Sequence, residues 1–290
     1  MDVHPDCVPC LMKRVLFQAR LVGNGTEFDA VEAALKTYAA NIGSGVNSAR
    51  LATMVHASAY KAMGVADPYL DLKVRADEVA GRYLARMEDE IDSSEDRLST
   101  AIRVSIIGNI MDFGSGIAID DPDEFEKEFD SLLRQGVDPV QTGELVKAIV
   151  SSKNVMYVFD NCGESQFDKL LIREIKALGI RVVGVVRGKP ILNDVTISDA
   201  VRIGLDKELD LLIDTGVFSI GADLHNCSPE FREELGKTDL MIMKGMANYE
   251  ATSSESIPVC TAHLLRAKCI PVSDSLGVKV GDNVVFVRKP

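Results

Sequence analysis

The chain has 290 residues, 46% of them hydrophobic, and 32 Lys and Arg face 44 Asp and Glu for a formal charge of −12. That length suits one large domain or two modest ones with an ample core, and an acidic surface repels phosphate backbones, which argues against a general nucleic-acid binder. No apolar run approaches the roughly 20 residues that span a bilayer, and Asp2, His4, Pro5 and Asp6 break up the start, so a soluble cytoplasmic protein without a membrane partner is expected.

The first half reads as helices. Apolar residues recur at helical spacing over Cys10–Leu21, Asp29–Ala40, Ser48–Met63, Leu70–Met87 and Leu98–Ile107. Asp123 opens a helix through Leu133, and Thr142 is placed to cap a helix over Gly143–Ser151. No strand is expected before about residue 154. The second half changes period. Short β-rich runs at Val155–Phe159, Arg181–Val186, Leu209–Ile213, Leu240–Met243 and Val284–Val287 read as strands, with a helix over Glu164–Leu178 ended by Gly179. Strands alternating with helices predict an α/β fold with a Rossmann-like, mostly parallel sheet and an all-helical N-terminal part. The expected division is a helical subdomain over 1–150 and an α/β core over 151–290. No low-complexity linker separates them.

Charge follows the same division. Residues 1–150 carry 15 basic and 25 acidic side chains, net −10, and residues 151–290 carry 17 and 19, net −2. The nearly neutral half is the better place for an anionic small molecule, since a local cation or metal attracts phosphate even inside an acidic protein. The six cysteines are too sparse for a disulfide framework and read as reduced thiols. Cys7 and Cys10 form a CxxC, a second metal site if His4 or Cys269 completes it in space and otherwise a structural pair. His56, His225 and His263 are isolated and read as packing or surface residues.

In an open α/β sheet, ligands bind beyond the carboxyl ends of the strands. The strand ends here carry Asp160-Asn161-Cys162-Gly163-Glu164, then Arg187-Gly188-Lys189 and Asn193-Asp194, then Asp214-Thr215-Gly216, then Lys244-Gly245 followed by Asn248-Tyr249-Glu250. Any one of these is ordinary turn chemistry. Their coincidence at successive strand ends points to a site. Hard oxygen donors from Asp160, Asn161 and Asp194 suit Mg²⁺, Mn²⁺ or a related ion, Lys244 suits a phosphate oxygen, and Gly245 lets backbone approach an anion. Asn109 and Asp112, three apart, share a face if the helix before them continues, although Gly108-Asn109 is also an ordinary helix ending.

At these residues the sequence resembles the damage-control phosphatases, in particular a short microbial and archaeal branch bearing an N-terminal cysteine pair. The ordered set of Gly108-Asn109 with Asp112, Asp160 to Glu164, Asn193-Asp194, Lys244-Gly245, Asn248 to Glu250 and Lys268-Cys269 carries the likeness over most of the chain. The resemblance implies a Rossmann-like core, a divalent ion (Mn, Co, Ni or Mg) on Asp160, Asn161 and Asp194, and phosphate contact by Lys244. It implies further substrate-binding residues among Asn109, Gly245, Asn248 and Glu250, and a small phosphorylated metabolite as substrate. Asp112 or Asp194 would orient the attacking water. Two rivals stay open at this point: an S-adenosylmethionine-dependent protein carboxyl methyltransferase, against which stands the acid in place of a glycine-rich loop at Asp160, and a noncatalytic metal- or nucleotide-binding module. The sequence sets no oligomeric state.

Overall fold

The computed structural model describes residues 1–43, 45–110, 129, 131 and 134–290. Asp112 and most of the expected helix over 123–133 lie outside the described residues. Up to residue 153 the described chain is helical apart from an isolated bridge between Asp2 and Asn47. The helices α1 (Cys7–Val22), α2 (Glu27–Asn41) and α3 (Ser48–Met63) pack around Val15, Leu51 and Val55, with Ala19, Ala30, Ala34 and Ala59 letting their axes approach. α3 has both ends where its signals stand: the Asn47 side chain accepts from the Arg50 N–H, and Gly64 at φ 69° closes it.

Two helical expectations need correction. The run expected over Leu70–Met87 is two helices, α4 (Leu70–Gly81) and α5 (Leu84–Asp92), because the chain tightens at Gly81, where Arg82 and Tyr83 N–H groups donate three residues back to Val79 and Ala80. α6 (Arg97–Ile107) follows as expected. The helix after the 123–133 stretch, α7 (Pro139–Val150), is capped by Asp138 and not by Thr142: the Asp138 carboxylate accepts from Val140 N–H at 2.8 Å, Pro139 occupies the first turn, and the Thr142 hydroxyl donates to the Asp138 carbonyl.

Six strands then form one sheet, β1 (Asn154–Val158), β2 (Arg181–Val186), β3 (Leu211–Asp214), β4 (Leu240–Lys244), β5 (Cys260–Arg266) and β6 (Asn283–Arg288), in the order β3-β2-β1-β4-β5-β6. All neighbours are parallel except β5 with β6. The Rossmann-like, mostly parallel expectation holds. β5 was not expected: it lies between two other strands and is buried over Thr261–Leu265, but His263 in its middle interrupts the apolar run that marks such strands. Side chains alternate across the sheet. Val155, Tyr157, Leu240 and Ile242 face Ile102 and Ile106 of α6 and Phe167 and Leu171 of α8 (Glu164–Ala177). Met156, Val158, Met241 and Met243 face the opposite layer with Phe231 of α10 (Pro229–Leu235), which follows α9 (Ile197–Arg202). The first connection from β1 runs through α8 to β2 on one side, whereas β4 lies on the other, so the order reverses between β1 and β4. That switch point is where such sheets bind ligands. Among the described residues no helix is long and apolar enough to cross a membrane.

Two histidines are fully buried. His263 packs edge-on to Tyr249 with centroids 5.3 Å apart and stacks on Phe286, and neither ring nitrogen has a hydrogen-bond partner among the described residues. His56 Nδ1 lies 3.1 Å from Gln18 Oε1. Burial, helped by Arg14 near His56 and Arg288 near His263, pulls each from the ordinary 6.5 down to about 3. The unfolded chain therefore binds protons below pH 6.5 that the folded chain refuses, and stability falls as pH drops from about 6.5 towards 3. At pH 5 each histidine is expected to cost about 2 kcal/mol relative to pH 7. Denaturant titrations at pH 7 and 5 check this: His263→Phe should lose its share of the decline, and an unchanged slope in that variant would count against it.

Candidate functional site

Beyond β1 and β4 lies a cavity of about 360 Å³, within the range of small-molecule sites. Its walls come from both parts of the chain: Cys7, Cys10, Leu11 and Arg14 on one face of α1, Ser48 and Ala52 on α3, Asp160 and Asn161 after β1, Leu192 and Asp194 after β2, and Met246 and Glu250 on α11 (Gly245–Thr252). Lys268 and Cys269, between β5 and α12 (Ile270–Leu276), close the ring.

Backbone pairing explains why Asp160 and Asp194 meet. The segment after β2 folds back on the segment after β1: Cys162 N–H donates to the Asn193 carbonyl, Val195 N–H to the Asp160 carbonyl, and Arg187 N–H to the Val195 carbonyl, each at 2.8 Å. Asn161 and Asp194 form an antiparallel bridge. The turn into this segment puts Leu192 at φ 50°, a conformation that costs a non-glycine residue about 1 kcal/mol or more and that recurs at functional sites.

Both acids are buried, Asp160 5% and Asp194 2% exposed. Burial, then repulsion from Asp194 and Glu164, holds the Asp160 carboxyl well above its ordinary range, with Arg187 and Lys268 opposing. The Asn161 amide nitrogen donates to Asp160 Oδ2 at 3.0 Å and reaches Glu164 Oε2 at 3.4 Å, so its oxygen is the end left to ligate. Gly245, at φ 74°, lies directly on this group: a Cβ there would sit 1.7 Å from Asp160 Oδ2. No residue but glycine fits unless Asp160 moves. Two carboxylates and an amide oxygen at one wall are a hard donor set, and their mutual repulsion is what a divalent cation would relieve, so these residues fit such an ion.

Several expected site residues stand elsewhere. Lys244 does not line the cavity. It is 0% exposed, and its Nζ donates to the Ser105 carbonyl at 2.7 Å, Glu164 Oε1 at 2.5 Å and Asp168 Oδ1 at 2.7 Å. Burial pulls its pKa down, but Asp168 and Glu164 outweigh that and hold it above the ordinary lysine value. Asp168, which also accepts from the Tyr157 hydroxyl at 2.7 Å, is raised by burial, against Lys244, to about 7. Asn109 is buried behind Asp160: its amide nitrogen donates to Glu164 Oε2 at 2.9 Å and its oxygen accepts from Arg266 N–H. Gly108 makes this possible, since a Cβ there would be 2.7 Å from the Glu164 Cα. Asn248 ties loops together, donating to the Phe159 and Lys244 carbonyls and accepting from Arg187. Lys189 is exposed, and Asp214 Oδ1 accepts from the Gly216 N–H as turn chemistry. Glu250 does reach the cavity, where it accepts from the Ser48 hydroxyl at 2.9 Å.

Cys7, Cys10 and Cys269 share the cavity wall and are not joined in disulfides. Burial raises the pKa of Cys7 and pushes Cys269 up to about 12. His4 Nδ1 accepts from Asp6 N–H on the exposed surface. Cys269 therefore shares a wall with the CxxC, whereas His4 does not line the cavity, and among the described residues no group of three or more His, Cys, Asp and Glu is arranged to hold a metal. Sequence reasoning assigned no role to Arg187, which grips both Asp160 and Asp194. Its place as the first residue past β2 was the only signal.

The chain matches the Damage-control phosphatase ARMT1-like domain over residues 3–284. It is 39% identical over 293 residues to a damage-control phosphatase of Archaeoglobus fulgidus, covering 99% of each chain. It is 31% identical over 296 residues to a damage-control phosphatase of Pyrococcus horikoshii, covering 100% of this chain and 99% of that one. The crystal structure of a DUF89 family protein from Pyrococcus horikoshii superposes with a TM-score of 0.86 at 27% identity, covering 100% of both chains.

Proposed function

Because the chain belongs to the damage-control phosphatase ARMT1-like family, we propose that it hydrolyses phosphate monoesters of small, damaged metabolites such as sugar phosphates or cofactor precursors, with a divalent ion held by Asp160, Asn161 and Asp194. The observation that carries this reading is the meeting of Asp160 and Asp194, from separate strand ends, on one wall of a cavity that Lys268 also lines. Phosphoryl transfer needs mainly positioning and charge neutralisation, and the cavity offers both.

A bound Mn²⁺, Co²⁺, Ni²⁺ or Mg²⁺ would polarise the phosphoryl group and lower the pKa of water. The chain's own residues do the rest. Asp160 and Asp194 fix the charge that draws the cation. Lys268, 5% exposed and attracted to Asp160, replaces Lys244 as the cation placed to meet a phosphoryl oxygen. Glu250 and Ser48 present polar groups for the alcohol half of the substrate. Lys244 and Asn109 work one layer behind, keeping Glu164 and the loop at Asp160 in place.

The test is a screen of phosphate monoesters against Mn²⁺, Co²⁺, Ni²⁺ and Mg²⁺ on chelator-stripped protein. Phosphate release should be absent without metal and return with at least one of the four ions. Full release from stripped protein in excess chelator would sink the metal-dependent reading. Metal binding with no release across the panel would favour a noncatalytic module.

A further inference from the structure

We propose that Arg187 is a positioning residue that holds Asp160 and Asp194 at a fixed separation and orientation for a divalent cation, an inference that rests on the metal site proposed above. The side chain is 0% exposed and its planar head reaches three elements. Nε donates to Asp194 Oδ2 at 2.6 Å, Nη2 to Asp160 Oδ1 at 3.3 Å, and Nη1 to Asn248 Oδ1 at 3.2 Å. One group thus ties the end of β1, the loop after β2 and α11. Its own N–H adds to the backbone pairing by donating to Val195. A guanidinium carries five donors in a rigid fork, whereas a lysine is a single point charge on a flexible stem. Two carboxylates on one buried wall repel each other and spread apart unless something fixes each by a separate bond.

A purely charge-compensating role makes the opposite prediction. A buried cation beside a cation site repels the metal, so its removal would tighten metal binding. Removal of a positioning group loosens it. The sign of the change separates the two.

Metal-free wild type, Arg187→Met and Arg187→Lys are titrated with Mn²⁺ at a temperature where each is fully folded, with free Mn²⁺ read by electron paramagnetic resonance. The expected result is a Kd at least tenfold weaker in Arg187→Met and partly restored in Arg187→Lys. Binding by Arg187→Met as tight as wild type, or tighter, overturns the assignment alone. Failure of the wild type to bind Mn²⁺, Co²⁺, Ni²⁺ or Mg²⁺ overturns the metal site and the assignment together. If Arg187→Met does not fold, nitrogen-15 resonances of wild type decide, with the Arg187 Nε–H signal identified by its loss in Arg187→Lys. That proton should exchange slowly with solvent both metal-free and saturated with Mg²⁺. Its release to fast exchange on Mg²⁺ binding would show that the arginine lets go of Asp194, which is incompatible with holding it for the ion.

Discussion

Asp160→Ala is expected to lower kcat/KM for every phosphate ester by roughly 10³-fold, about 4 kcal/mol of transition-state stabilisation, while the protein still folds. Folding is expected to tolerate the change because the surroundings of Asp160 disfavour its ionised form. Its burial and the repulsion from Asp194 and Glu164 already favour the protonated form. Arg187 keeps Asp194 and Asn248 as partners when Asp160 is gone. The site loses more. With Asp160 absent the proposed ion has one carboxylate instead of two, and the backbone frame around it, through Cys162, Val195 and Arg187, stays. Steady-state phosphate release and a thermal melt on the same preparation check both halves. Wild-type turnover would remove Asp160 from the mechanism, and a collapsed melt would make its role structural.

Lys244→Met should act chiefly on stability. The substitution leaves Glu164 and Asp168, both buried, without the ammonium that joins them. Breaking a buried pair by removing one partner costs about 3–5 kcal/mol. For a 290-residue chain that is a fall in melting temperature of roughly 5–8 °C. Asp168, already near 7 with the lysine present, would go up further and take a proton at neutral pH. Activity should decline through the loosened Glu164, with kcat affected more than KM. An unchanged melting temperature with a sharply raised KM would return Lys244 to the phosphate-contacting role that the sequence suggested.

That lysine shows how the two sources of information divide. A lysine after a strand reads the same in sequence whether it points to solvent, ligand or core. Its direction follows from alternation along β4: Leu240 and Ile242 face α6 and α8, and Lys244 shares their side. The face is legible only once the helices covering it are known. β5 escaped for a related reason, because a buried histidine without a hydrogen-bond partner among the described residues breaks the apolar pattern, and packing against Tyr249 and Phe286 explains it.

What the sequence determined alone was local and periodic. The helical run before residue 154, the valine-rich and methionine-rich strands, and the Asp-Asn and Asn-Asp pairs at strand ends follow from residue types at short spacing. Asp160, Asn161 and Asp194 were therefore readable as a set of candidate oxygen donors. Which groups stand beside them was decided by the tertiary structure. Hydrogen bonds between the segments at 160–162 and 193–195 bring the acids together, and Arg187 reaches them from β2. The physical reason is that a turn or a strand is settled by neighbours a few residues away, whereas the partner of a buried charge is settled by which chain segments the packed sheet and helices leave side by side.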